Sequence, residues 1–401
     1  MNKLWWERDD LCIKSSKLYF AGKVAADLYQ QHGSPTFIYS FDRISHKLKS
    51  LHQAISSTRL KDRFQIYYAM KANRYAPLLT LVKQSGLAGI DACSPTEVEH
   101  AIACGFDASE ISYTNTSVSN KDLERLVKHR DLIINCDSIS SIRRLGEMSP
   151  GREIGIRINP GIGLGYGQNE KLSYSGANTT KFGIYQDQFA EALNTAANYG
   201  LKIVRIHFHT GCGYLSKQLA IWDNILSASK WFIEQVKDSL QAVNVGGGLG
   251  VPHVESDEIL DLVQWANILE KHFAALDIRV EVEPGDFIVK DSGILLLEVN
   301  TVEQKRDTTF IGVNAGFNIA LEPAVYALPF EPVPAVIRKG AEQKYTIAGN
   351  INEALDIWYR DIELSPVEEG DVLVLINAGG YSSSMASNHC MRGSFKEILL
   401  Q

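Results

Sequence analysis

Eight runs of apolar, β-branched and aromatic residues recur between residues 64 and 285, and each gives way at its end to polar residues or glycine. The first, Phe64-Gln-Ile-Tyr-Tyr-Ala-Met, runs into Lys71-Ala-Asn73. The other seven end in Asp91-Ala-Cys93-Ser94, Thr114-Asn115, Asn135-Cys136, Arg157-Ile-Asn159, His207-Phe-His209-Thr-Gly211, Gly246-Gly-Gly248 and Glu283-Pro-Gly285. Between them lie segments with apolar residues at helical spacing, over 76–85, 95–104, 121–129, 138–146, 186–199, 216–238 and 257–275. Pro95-Thr-Glu97, Ser119-Asn-Lys-Asp122 and Asp137-Ser-Ile-Ser140 supply caps, a first-turn proline or a carboxylate where helices begin. Strands alternating with helices call for a parallel sheet, and eight such units close into a (β/α)8 TIM barrel. All strands of such a barrel point one way, so the residues at their ends converge on one mouth.

After Glu283 the pattern changes to β-runs without intervening helices, at 287–290, 293–304, 308–313, 333–337, 344–347 and 371–376. Leu18-Tyr-Phe20 and Thr36-Phe-Ile-Tyr39 precede the first barrel run and read as further strands of this second part. The expected organisation is therefore residues 1–42 as N-terminal strands joining a β-domain, 43–285 as the cofactor-binding barrel, and 286–401 as the C-terminal all-β domain.

Composition narrows the partners. The 401 residues carry a formal net charge of -7 with a pI near 5.8 and no block of Lys or Arg. Nucleic acid or an anionic membrane surface would find no basic footprint, which leaves a small molecule. Six cysteines lie scattered without metal-ligand spacing, so no metal site is expected. The start Met-Asn-Lys-Leu-Trp-Trp-Glu-Arg lacks a secretory apolar stretch, and no run approaches the roughly 18 residues that span a bilayer. A reduced, cytoplasmic protein is expected.

Lys71 follows an almost wholly apolar run, and burial would lower its amine pKa as a Schiff-base nucleophile requires. Glu283 ends the eighth run, beside the first in a closed barrel, where a carboxylate can face a pyridinium nitrogen. Gly246-Gly-Gly248-Leu-Gly250 allows backbone N–H groups to approach a phosphate, although tight turns use glycine for other reasons. It lacks dinucleotide-fingerprint spacing. His209 suits stacking on a flat cofactor or a hydrogen-bonded place in the core. Asp91 and Arg157 are compatible with an interior ion pair.

With Tyr-Ala-Met-Lys71-Ala-Asn, His-Phe-His209-Thr-Gly, Gly246-Gly-Gly248 and Glu283-Pro-Gly in that order, the chain resembles the fold-type III pyridoxal-phosphate decarboxylases. Lys181-Phe-Gly-Ile184 and Asn377-Ala-Gly-Gly-Tyr381 extend the resemblance over essentially the whole chain, and the nearest branch is diaminopimelate decarboxylase. The resemblance implies pyridoxal 5'-phosphate held by Lys71 as a Schiff base, with Glu283 keeping the ring nitrogen protonated and His209 stacked on the ring. It further implies phosphate binding by Gly246, Gly247, Gly248 and Tyr381, and Asp91 and Arg157 near the ring face and its oxygen. Cys212 stands where the family usually has a phosphate-contacting serine. A homodimer with shared active sites is implied as well.

Three positions depart from the family and bear on substrate, for which the resemblance points to Asp286, Glu322, Tyr326, Asn352 and Glu353. Where the family has Cys-Glu-Ser, this chain has Asn352-Glu353-Ala, and an amide has no proton to give near neutral pH. Asp286 and Glu322 stand where arginines are usual. Like charges about 4 Å apart repel by about 4 kcal/mol at an effective dielectric near 20, which disfavours a distal carboxylate. The expected substrate therefore has a neutral, cationic or bulky distal part, as in siderophore, polyamine or peptide-antibiotic precursors. The alternatives are a true diaminopimelate decarboxylase of lysine biosynthesis, a non-catalytic regulatory homologue, or a racemase. Glu283 disfavours the last, because racemases of this type usually set an arginine against the pyridine nitrogen.

Overall fold

The computed structural model of the protein describes residues 4–176 and 178–401; the first three residues of the start segment lie outside the described residues. The chain clusters into two units. One comprises Lys47–Val251 and Glu258–Phe287, the other the chain up to His46, Pro252–Asp257 and Ile288–Gln401.

The first unit is a closed barrel of eight parallel strands. In chain order they are β1 (Phe64–Ala69), β2 (Gly89–Ala92), β3 (Ile111–Thr114), β4 (Ile133–Cys136), β5 (Glu153–Arg157), β6 (Lys202–His207), β7 (Ala242–Asn244) and β8 (Arg279–Val282). Closure is made by β8 on β1, with Val280 opposite Phe64 and Val282 opposite Ile66. Ile66, Ile90, Ile111, Ile156, Ile206 and Val280 are fully buried, as strands covered on both faces must be, which is why their sequences read as continuous apolar runs.

The crossover helices start at the predicted caps. Ser94 Oγ accepts from Glu97 N–H at 3.1 Å ahead of Pro95. Ser119 and Asp122 satisfy each other's backbone N–H groups, as do Ser138 and Ser141. Each arrangement removes orphan amide donors from a helix start. The later crossovers are shorter than their apolar spacing suggested, at Leu219–Glu234 and Leu262–Phe273. Asp261 stops the second of these from starting earlier, because its carboxylate caps the N–H groups of Val263 and Gln264.

The second unit is built on a sheet ordered Glu331–Pro334, Val372–Ile376, Gly293–Lys305, Thr308–Val313, Gln343–Ala348 and Ile357–Leu364. Thr36–Ser40 joins it, antiparallel to Gly293–Lys305 and parallel to the last strand, Lys396–Leu400. Two sequence expectations change. Leu18-Tyr-Phe20 belongs instead to a small separate sheet, Lys17–Phe20 pairing with Leu11–Lys14 and Lys23–Val24. Residues 287–290 are helical: Asp286–Val289 forms a short turn followed by the 3-10 turn Lys290–Ser292. Lys290 and Asp291 there bury their charges against Glu322 and Arg43, partners that a continuous ladder would not let them both reach.

Leu269 is fully buried on the helix Leu262–Phe273. Leu269→Ala should lower the unfolding free energy by about 2–5 kcal/mol, the usual range for a buried leucine. A denaturant titration checks this; a loss under about 1 kcal/mol would mean that the helix does not pack as described.

Candidate active site

The interior of the barrel turns polar at the C-terminal ends of its strands, and Glu283 organises that region. It follows β8 directly, is 6% exposed, and is engaged on both oxygens. Oε1 accepts from Asn244 Nδ2 at 2.8 Å and from Ser112 Oγ at 3.3 Å, and Oε2 lies 2.9 Å from His207 Nε2. Asn135 Nδ2 in turn donates to Ser112 Oγ and Thr114 Oγ1. Burial by itself would push the Glu283 carboxyl up, but His207 and Lys71 outweigh it and hold it down at about 2. Glu283 is therefore an anion at every physiological pH. Burial lowers the His207 pKa despite Glu283, so a neutral imidazole donating from Nε2 fits this contact.

Lys71 lies just beyond β1, the strand beside β8. Its Nζ is 3.2 Å from Asp91 Oδ2 and 3.5 Å from Cys93 Sγ. The amine is not buried as the sequence suggested, since the side chain is 40% exposed. The barrel wall stops at Ala69, two residues earlier, so the side chain extends past the packed layer into the open mouth. Asp91 is 1% exposed and Oδ1 has no hydrogen-bond partner. Burial and the charge of Glu283 push its carboxyl up to about 7 against the pull of Lys71. Cys93 is likewise pushed up to about 12, chiefly by burial, and remains a thiol.

His209 follows β6. Its Nδ1 accepts from Gly247 N–H at 3.3 Å, Nε2 lies 3.7 Å from Cys212 Sγ, and its ring centroid is 4.8 Å from that of Tyr174. Burial, then Lys71 and Arg157, hold its pKa well below the usual imidazole value, so the ring is neutral. Arg157, at the end of β5, is 6% exposed with its guanidinium 4.6 Å from the Phe182 ring centroid. Its stronger electrostatic neighbour is Asp137 rather than Asp91, and burial pushes the Asp137 carboxyl up to about 6. The ion pair between Asp91 and Arg157 that the sequence left open as an alternative is not formed; Asp91 turns to Lys71 instead.

The glycine run has two structural duties of its own. Gly246 and Gly248 adopt φ of +71° and +106°, and a Cβ on Gly247 would come within 2.2 Å of the Glu283 carbonyl oxygen. Gly246 N–H is committed to Asn244 Oδ1 at 2.9 Å and Gly247 N–H to His209 Nδ1 at 3.3 Å, which leaves the Gly248 amide as the candidate for a phosphate.

The remaining sequence candidates fall elsewhere. Asp286 opens the turn after Gly285. Glu322, Tyr326, Asn352, Glu353 and Tyr381 belong to the second unit. Glu322 is 2% exposed and ion-paired to the equally buried Lys290. Glu353 is half-exposed and 3.3 Å from His389 Nε2, while Asn352 is exposed. Their loop is held by buried Asp356, which accepts from Ile351 N–H, Phe317 N–H and Trp358 Nε1.

Sequence reasoning missed Ser112, Asn135 and Asn244, and passed over His207 in favour of His209. The available signal was a polar residue inside an otherwise apolar parallel strand, where an unpartnered side chain would be too costly to keep.

This set suits pyridoxal phosphate: a primary amine beside a buried carboxyl oxygen without a partner, a permanently ionised carboxylate on the adjoining strand, a neutral imidazole, and glycines at a strand end. The profile described as "Pyridoxal-dependent decarboxylase, pyridoxal binding domain" matches residues 41–290. Diaminopimelate decarboxylase of Methanothermobacter thermautotrophicus is 33% identical over 399 residues, covering 96% of this chain and 90% of that protein. The enzyme of the same name from Escherichia coli K12 is 28% identical over 394 residues, covering 92% and 89%. The solved structure of Helicobacter pylori diaminopimelate decarboxylase complexed with L-lysine aligns with a TM-score of 0.84 at 26% identity, covering 94% of each chain. The chain belongs to the pyridoxal-dependent decarboxylase family. It is a pyridoxal-phosphate-dependent carboxy-lyase acting in amino-acid metabolism, and no helix among the described residues is long and apolar enough to cross a membrane.

Asp91 and Glu283 make opposite contributions to stability as pH changes. Asp91, raised to about 7, stabilises the fold fully below its unfolded value near 4 and loses that contribution as pH rises through about 7. Glu283, lowered to about 2, contributes above about pH 4 and loses its contribution as pH falls toward 2. In cofactor-free protein, Asp91→Asn should therefore reduce the drop in urea midpoint between about pH 5 and about pH 8. An unchanged drop would show that Asp91 is ionised throughout that range.

Proposed function

We propose that the chain removes the α-carboxylate of a diaminopimelate-type amino acid, with Lys71 as the cofactor-bearing amine and Glu283 as the anion that keeps the cofactor's ring nitrogen protonated. The observation that carries the reaction class is the ionised Glu283, braced by Ser112, His207 and Asn244 on the strand next to the one that presents Lys71. Pyridoxal phosphate, when bound, supplies the electron sink that accepts the pair left as CO2 departs.

The chain's own residues aim and hold. His209, neutral and fixed by Gly247 N–H, offers a flat face without adding positive charge. Arg157 is held over Phe182 at the same mouth. Gly248 and Cys212 are the proposed phosphate contacts from the barrel, with the glycine run on either side keeping the backbone close-packed. Lys71 has a carboxyl and a thiol within reach, Asp91 and Cys93, so its nitrogen can exchange protons locally. Asn352 cannot donate a proton, and the proposal gives reprotonation of the product to Lys71. Retention of Lys71, His209 and Glu283 together supports an active enzyme over a regulatory homologue.

Two observations support a substrate with a distal carboxylate. Relatives matched over nearly their full length are diaminopimelate decarboxylases, and Glu322 is neutralised by Lys290, which removes one of the two negative charges that counted against such a substrate. A second reading keeps a neutral, cationic or bulky distal part, favoured by Asp286 and by the half-exposed Glu353. Under either reading the proposal extends to a cytoplasmic homodimer.

Release of CO2 from meso-diaminopimelate should exceed release from amino acids with neutral or cationic tails when each is supplied to purified enzyme. The reverse order would transfer the assignment to the second reading. Lys71→Ala should abolish the absorbance of bound cofactor and lower turnover by about 10⁴-fold or more, and Glu283→Gln should lower it by about 10²–10³-fold with cofactor retained. Wild-type turnover by Lys71→Ala would rule out the assigned amine.

A further inference from the structure

The opposite end of the barrel carries a second concentration of charge that the reaction does not use. A cavity of 720 Å³ opens among the first residues of β4 to β8, including Ile133, Glu153 and Ala242. Because all eight strands run the same way, these residues lie at the rim away from Lys71, Asp91, His207 and Glu283. Five cations line the cavity, Lys128, Arg130, Arg152, Arg205 and Arg279, against Asp131 and Glu153.

Two of the arginines, Arg152 and Arg205, are built in rather than draped on the surface, and a third, Arg279, is half-exposed. Arg205 is 3% exposed, with Nη2 donating to the fully buried Glu281 at 2.8 Å and Nε ion-paired to its second oxygen at 2.7 Å, while neither Nε nor Nη1 makes a hydrogen bond. Arg279 Nε shares the same carboxylate at 2.8 Å, so one anion serves two guanidinium groups. Arg152 is fixed by its Nη2 on the carbonyl oxygens of His129 and Leu132, and its Nε has no acceptor either. These two nitrogens are enclosed, so what the cavity offers a ligand is its excess of positive charge, five cations against two carboxylates. The planar fork of arginine suits oxyanions in two-point contact.

We infer that this cavity is a binding site for a small polyanion bearing phosphate or carboxylate groups, separate from the catalytic mouth and formed by Arg152, Arg205 and Arg279 with Arg130 at its edge. A site at this end cannot take part in the chemistry, so its occupant is an effector or stabiliser of the barrel rather than a substrate. A purely structural network would have been expected to balance its charges, whereas five cations here face Asp131, Glu153 and the buried Glu281.

Inorganic pyrophosphate and citrate serve as probes of the two oxyanion types on cofactor-loaded enzyme, by isothermal titration calorimetry at constant ionic strength. Saturable binding of at least one is expected, and the tighter of the two identifies the preferred type. The exposed double variant Arg130→Gln/Arg279→Gln, which leaves Arg205 on Glu281, should bind at least about tenfold more weakly, a change of about 1.4 kcal/mol. Arg152→Gln should weaken binding similarly, and both should keep wild-type turnover without the probe. Failure of both probes to bind, or wild-type affinity in the double variant, would overturn the assignment.

Discussion

A carboxylate kept charged inside a protein sets the terms for everything around it. Glu283 sits at the base of the mouth, where β3, β6 and β7 each send it one polar side chain, Ser112, His207 and Asn244, and His207 and Lys71 hold it ionised. Removing one brace would leave an ionised group short of a partner in a low-dielectric interior, where the penalty reaches several kcal/mol. The barrel's closure and its chemistry thus rest on the same atoms. Strand register matters for the same reason: a slip by one residue would turn each brace away from the centre.

Around that anion the other groups fall into a graded series. Asp91 is pushed up to about 7 beside the lysine it faces, the histidines are held neutral, and Cys93 stays a thiol. Positive charge at the mouth comes from Lys71 and Arg157 alone among these residues. Glu283 thus remains a fixed negative pole beside groups that can pass or withhold protons near neutral pH, which suits a reaction whose electron demand is met by a protonated heterocycle.

Much of this was legible in the chain. The alternation of apolar runs with capped helical segments gave all eight barrel strands, because parallel strands covered on both faces cannot hide their apolar character. The polar strand ends pointed to Lys71, Asp91, Arg157, His209 and Glu283 without any coordinates. Exposure and pairing were not legible, since they depend on residues far apart in sequence. Lys71 reads as buried from its neighbours, yet it lies past the point where the strand layer stops. Glu322 reads as a free anion in a binding pocket, yet its partner Lys290 is 32 positions away and inside a segment whose apolar neighbours suggested a strand. Ser112 and Asn244, two of the side chains that brace Glu283, went unnoticed because a lone Ser or Asn in a strand carries little weight until its partner is known.

The pairing of Lys290 with Glu322 also constrains how this protein can have diverged. Restoring the arginine usual in the family at position 322 would seal two cations together in a region with almost no solvent contact, at a cost of about 3–5 kcal/mol for a broken buried pair. The two positions are therefore tied: neither sign can be reversed by a single substitution without passing through a crippled intermediate. Lineages carrying this pair would be expected to keep both members or exchange both, so the identity at position 290 becomes a marker of ancestry for the residue at 322.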